Sequence, residues 1–93
     1  MSVLGEQYPS LTQFLNAWVS DSEDDDHTIV NEFLQSENEN TISSVISDID
    51  SCSGAEPFLG IEVGEEANRY FVSEQEAKEW LHDLIELFKR PAG

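Results

Sequence analysis

The first 68 residues carry fifteen carboxylates and neither a Lys nor an Arg. That imbalance limits the fold more than any other feature. An unpaired charge is costly to bury, and this stretch has no cation of its own to pair with. Internal salt bridges therefore cannot neutralise most of its acids, and the core has to be assembled from the apolar positions between them. All four cations, Arg69, Lys78, Lys89 and Arg90, come afterwards, and the net charge of the 93-residue chain is −16. Self-repulsion of this size opposes compaction. A chain that tolerates it gains something elsewhere, and the simplest gain is attraction to a basic partner. The plainer alternative is that the charge serves solubility alone.

The same arithmetic excludes several classes of function. Binding to a phosphate backbone needs Lys and Arg to displace counterions, and adsorption to anionic lipid needs them as well. The single Cys52 leaves no partner for an intrachain disulfide and fits a reducing compartment. No apolar run nears the ~20 residues of a membrane span. The opening Met1 to Glu6 lacks the basic and apolar regions of a secretory signal. A single domain over residues 1–93 is expected.

Apolar periodicity predicts a mostly α, compact helical bundle with four main helices. The first opens at Ser10, whose spacing to Gln13 suits a capping box. Leu11, Phe14, Leu15 and Trp18 form its inward stripe, and it fades at Val19-Ser20. The second is capped by Asp25 or Asp26, buries Ile29, Val30, Phe33 and Leu34, and ends near Gln35-Ser36. The third is capped by Asn38 or Asn40 and carries Ile42, Val45, Ile46 and Ile49. It exits through Ser51 to Gly54, with Gly54 free to turn left-handed. The fourth begins with the capping box Ser73-Glu74-Gln75-Glu76 and continues through Ala77, Trp80, Leu81, Leu84, Ile85 and Phe88. Lys89 and Arg90 suit its C-terminal dipole, and Pro91 stops it.

Residues 55–72 are irregular at this level. Pro57, Gly60 and Gly64 interrupt any long helix. Ile61-Glu62-Val63 and Arg69 to Val72 suit a short hairpin, while Pro57 suits a single helical turn. A short helix or loop is the better reading, with at most a minor strand pair.

Candidate chemistry is sparse. Asp21, Glu23, Asp25 and Glu32 stand at positions 1, 3, 5 and 12 of a calcium loop. Position 6, which needs Gly for its sharp turn, holds Asp26. In so acidic a chain a solvated or partner-binding loop is the stronger reading. Cys52 with His27 or His82 would be needed for thiol catalysis, yet no nucleophile elbow or phosphate loop accompanies them. His82 has Glu79 and Glu86 one helical turn to either side, which suits a surface charge pair better than a zinc ligand. Trp18 and Trp80 lie on core stripes. Tyr8 and Tyr70 do not, and either suits an exposed interface anchor.

Tyr8-Pro9-Ser10-Leu11-Thr12-Gln13-Phe14-Leu15 resembles the opening of a group of contact-dependent growth inhibition immunity proteins of the CdiI type. The acidic turn, a helix with Val30-Asn31-Glu32-Phe33-Leu34, a helix over Thr41 to Asp50 and the closing Glu79-Trp80-Leu81 are similar too. Where that group carries an aromatic and His-Gln-Asp-like cluster, Trp18-Val19-Ser20-Asp21-Ser22 stands here, with Asp21 as its one carry-over. The resemblance implies a cytoplasmic antidote without catalysis or cofactor. It would bind the C-terminal toxin domain of a cognate CdiA effector, a nuclease with a basic cleft, and block it by charge and bulk. On this reading Asp21, Glu23, Asp24, Asp25 and Asp26 form the binding patch, with Glu32, Glu37 and Glu39 near it. The alternatives are an acidic mimic of DNA or RNA that inhibits another nucleic-acid enzyme and, behind it, a calcium-binding module.

Overall fold

A computed structural model describes residues 3–90. Six α-helices follow one another: α1 (Val3–Gln7), α2 (Pro9–Phe14), α3 (Asp26–Ser36), α4 (Glu39–Ser53), α5 (Gly60–Ala67) and α6 (Glu74–Lys89). A π-helical segment, Leu15–Val19, extends α2. The radius of gyration, 12.1 Å, matches the roughly 12 Å of a normally packed domain of this length. The repulsion of the acids has not swollen the chain. No helix among the described residues is long and apolar enough to cross a membrane.

The three longest helices begin where local chemistry places them. Asp25 Oδ1 accepts the Thr28 N–H at 2.8 Å and caps α3. Asn38 Oδ1 accepts the Thr41 N–H at 2.8 Å and caps α4. Ser73 Oγ accepts the Glu76 N–H at 3.2 Å and caps α6. Each cap satisfies one of the backbone donors that a helix start leaves free. The apolar stripes then meet in one core. Phe14, Phe33 and Phe88, from three helices, form its centre with ring centroids 4.8–5.9 Å apart and their rings steeply tilted. Edge-to-face pairs of this kind add to the burial term. Helix α4 packs on α2 and α6, and α6 also meets α3 and α5.

Helix α2, the first of the four expected, departs from expectation in three ways. It begins at Pro9 and not Ser10, with no side-chain cap of its own. Its free donors are satisfied from a distance instead: Ser10 N–H and Leu11 N–H both donate to Asp48 Oδ2 on α4, at 3.0 and 3.1 Å. It ends in a π turn, where Ser20 N–H donates to Leu15 C=O at 2.8 Å. The wider turn shifts the register by one residue. Val19 is consequently drawn fully inside, and Trp18 is left half-buried with its ring 5.2 Å from that of Phe33.

Other boundaries also move. Helix α1 has no counterpart in the sequence reading, because five residues are too few to show a period; it buries Leu4 completely. Gly54 closes α4 at φ −98° and not left-handed. No strand forms among the described residues, so the hairpin over 61–72 is replaced by α5. That helix opens at Gly60, three residues beyond the turn expected at Pro57. Pro91, expected to stop α6, lies outside the described residues, as do Met1 and Ser2.

Candidate functional site

Two surface features adjoin each other, an acidic turn and an apolar groove.

The acidic turn joins the π segment to α3. Asp21, Glu23, Asp24 and Asp25 are all exposed there. Ser22 Oγ accepts the Asp24 N–H at 3.0 Å, which holds the turn compact. Asp25 is also the α3 cap, and the N–H and hydroxyl of Thr28 hold its carboxyl below the usual carboxylate range. Asp26 behaves differently from its neighbours. It is half-buried, its Oδ1 meets the Arg69 guanidinium at 2.7 Å, and its Oδ2 accepts the Trp80 Nε1–H at 2.7 Å. The Arg69 guanidinium also lies 5.4 Å from the centre of the Trp80 ring, within cation–π range. This is the single ion pair among the described residues. Asp26 is therefore committed to the fold, whereas Asp21, Glu23 and Asp24 face water.

Glu32 is exposed on α3, Glu39 is exposed in the first turn of α4, and Glu37 is half-buried between those helices. Glu37 and Glu39 do not join the acidic turn. The 11 residues of α3 put about 16 Å of helix between them and Asp25. A second acidic feature escapes the sequence reading. Glu76, Glu79, Asp83 and Glu86 are all exposed on α6, and their spacing of three, four and three residues makes a single stripe. The signal is present in the sequence, as the polar complement of the Ala77–Phe88 stripe.

The groove owes its shape to the end of α5. Asn68 takes the left-handed conformation, φ 55°, that commonly terminates a helix. The chain then folds back, and Arg69 N–H donates to Gly64 C=O at 2.9 Å. A Cβ on Gly64 would lie 2.8 Å from the Arg69 carbonyl oxygen, so only glycine allows this approach. Phe71 turns inward against Trp80, with ring centroids 5.4 Å apart. Tyr70 and Val72 are left outside, 87% and 77% exposed, opposite Ile61 on α5 at 78%. Together they border a groove of about 680 Å³, whose lining also includes Glu65, Arg69 and Glu74. Of the four exposed large apolar side chains among the described residues, three belong to this groove. Tyr70 has the marks of an anchor in the sequence, while Tyr8 packs against the core. Ile61 and Val72 are missed by sequence reasoning because their neighbours give no clear period.

Arg69 connects the two features. It lines the groove and its guanidinium touches Asp26 at the end of the acidic turn. Turn and groove therefore share a border one side chain wide.

Other candidate chemistry is dispersed. The carboxylates of the calcium-loop reading do not converge: Asp25 caps α3 and Glu32 sits within that helix. No group of three or more His, Cys, Asp or Glu side chains suited to a metal ion occurs among the described residues. Cys52 is fully buried, while His27 and His82 are exposed, so no thiol–imidazole pair forms. Desolvation, reinforced by the negative charges of Asp48 and Glu62, pushes the Cys52 thiol up to about 11. Such a thiol is inert at neutral pH.

No protein-family model, curated protein or solved structure matches this chain.

Proposed function

We propose that this protein is an immunity protein of the contact-dependent growth inhibition type. It binds the C-terminal toxin domain of a cognate CdiA effector, a nuclease with a basic cleft, and neutralises it by electrostatic attraction and steric obstruction. The protein supplies no catalysis and needs no cofactor. The observation that carries this reading is the state of the acids. Asp21, Glu23 and Asp24 are exposed on a turn held by the Ser22 hydroxyl, and none of them has an ion-pair partner among the described residues. A field of this sign accelerates encounter with a cationic surface, to as much as ~10⁸–10⁹ M⁻¹s⁻¹ at low salt. A nuclease cleft built to attract phosphate is such a surface. Speed matters for an antidote, because each free toxin molecule continues to turn over.

The test is association kinetics with the toxin domain encoded next to this gene. Tight binding and loss of toxin activity are expected. The variant Asp21→Lys/Glu23→Lys/Asp24→Lys leaves the α3 cap and the Asp26 ion pair intact. It should associate at least about tenfold more slowly, with a flatter salt dependence. An unchanged rate would move the contact away from this turn, and absence of binding at moderate salt would remove the proposal.

A further inference from the structure

We infer that the Ile61–Tyr70–Val72 groove receives an apolar side chain from a Lys- or Arg-rich segment of the protein partner. The inference rests on the reading that the acidic surface binds a basic protein, and it adds the part of the contact that charge alone does not supply. Exposed charges mainly set rate and selectivity, whereas affinity concentrates in a few desolvated apolar or aromatic anchors. Ile61, Tyr70 and Val72 are the groups here that could act as such anchors. They gather at one groove and are not scattered singly over the surface. Its volume, about 680 Å³, falls within the range that accepts apolar ligand groups.

Charge complementarity identifies the occupant. Glu65 and Glu74 stand in the groove lining, and Arg69, the one cation there, is already neutralised by Asp26. Asp26 directly follows Glu23, Asp24 and Asp25 in the chain, so the acidic turn runs up to that ion pair. A segment that seats an apolar side chain beside Tyr70 thus brings its flanking residues against carboxylates on both sides. Lys and Arg are favoured at those flanks and Asp and Glu are repelled. The same charges disfavour the other occupants. A second copy would bring another net charge of −16 to this face, and an anionic lipid surface would be repelled as well.

Two peptides of equal length and charge test this by amide chemical-shift titration. One alternates Lys with Leu and Trp; in the other, Ser replaces Leu and Trp. The first is expected to shift the amides of Gly64, Tyr70 and Val72 and to bind at least about tenfold more tightly than the second. Ile61→Ser/Val72→Ser should abolish that difference while leaving the weak Lys–Ser binding in place. Both side chains are exposed, so the fold tolerates the change, and the comparison of the two peptides on the parent protein stands without the variant. Equal binding of the two peptides, with shifts confined to the acidic turn and α6, would overturn the groove assignment and leave the acidic-surface reading standing. Failure of both peptides to bind at low salt would overturn both. Groove shifts that follow protein concentration alone would make a second copy the occupant and also overturn the assignment.

Discussion

Asp48 offers the sharpest check on how α2 is held to α4. Its Oδ2 accepts two backbone N–H groups, from Ser10 and Leu11, at 3.0 and 3.1 Å. Both bonds are part-buried, and α2 has no side-chain cap of its own. Hydrogen bonds to a charged group contribute about 1.5–3 kcal/mol each, and the two share one oxygen. Replacement by Ala leaves both donors without that acceptor, at a cost of about 3 kcal/mol. In a domain this small that corresponds to a melting temperature lower by roughly 12–24 °C. Asp48→Asn keeps an acceptor oxygen and loses the charge, so about half the cost is expected. Asp50→Asn is the control. That carboxylate is exposed near the C-terminal end of α4, where the dipole disfavours an anion, so its removal should be neutral or slightly stabilising. Urea unfolding followed by far-UV circular dichroism measures all three. If Asp48→Ala lost less than ~0.5 kcal/mol, the scatter of an ordinary surface substitution, the long-range cap would be geometry without energetic consequence. Helix α2 would then be held by Leu11 and Phe14 alone.

Three further outcomes are expected. Asp25 has its pKa lowered in the folded protein from an ordinary 3.8 by the Thr28 bonds. Its contribution is therefore present above that value and lost as pH falls through the depressed one. Asp25→Ala should be less stable than the parent at neutral pH, with the gap closing in strong acid; a gap independent of pH would refute the charge-assisted cap. Cys52, buried with its thiol near 11, should resist a disulfide reagent in the native protein and react at once in denaturing urea, and rapid native labelling would contradict its placement. Added NaCl, from ~0.02 to ~0.5 M, should raise the melting temperature, because screening relieves repulsion among the acids. A fall would mean that attractive pairs dominate.

What is legible in the sequence follows the range of the interactions involved. Caps are mostly legible because each is settled within four residues: Ser73 is fixed outright, Asp25 and Asn38 are each one of two neighbouring candidates, and Ser10 fails because a residue 38 positions away, Asp48, takes over. Asp25 with Thr28, Asn38 with Thr41 and Ser73 with Glu76 hold as their spacing requires. The stripe from Ala77 to Phe88 is legible for the same reason, since helical period is local. The acids are legible as a class, because a stretch with no cation of its own cannot bury most of them, and none is fully buried among the described residues. Which carboxylate does what is not legible. Asp26 reads like Asp25 in the sequence, yet it is tied to Arg69 and, 54 residues away, to Trp80.

By itself, then, the sequence determined a helical chain with its charge outside, since both follow from periodicity and the cost of desolvating ions. Tertiary structure decided the rest. Helix α5 exists despite Gly60 and Gly64, because Gly64 makes room for the returning Arg69 backbone, a benefit no local propensity records. The same return leaves Tyr70 and Val72 on the surface in a groove shared with Ile61, which Arg69 joins to Asp26. Nearness in space between residues far apart in the chain comes from packing, and period and composition carry no trace of it.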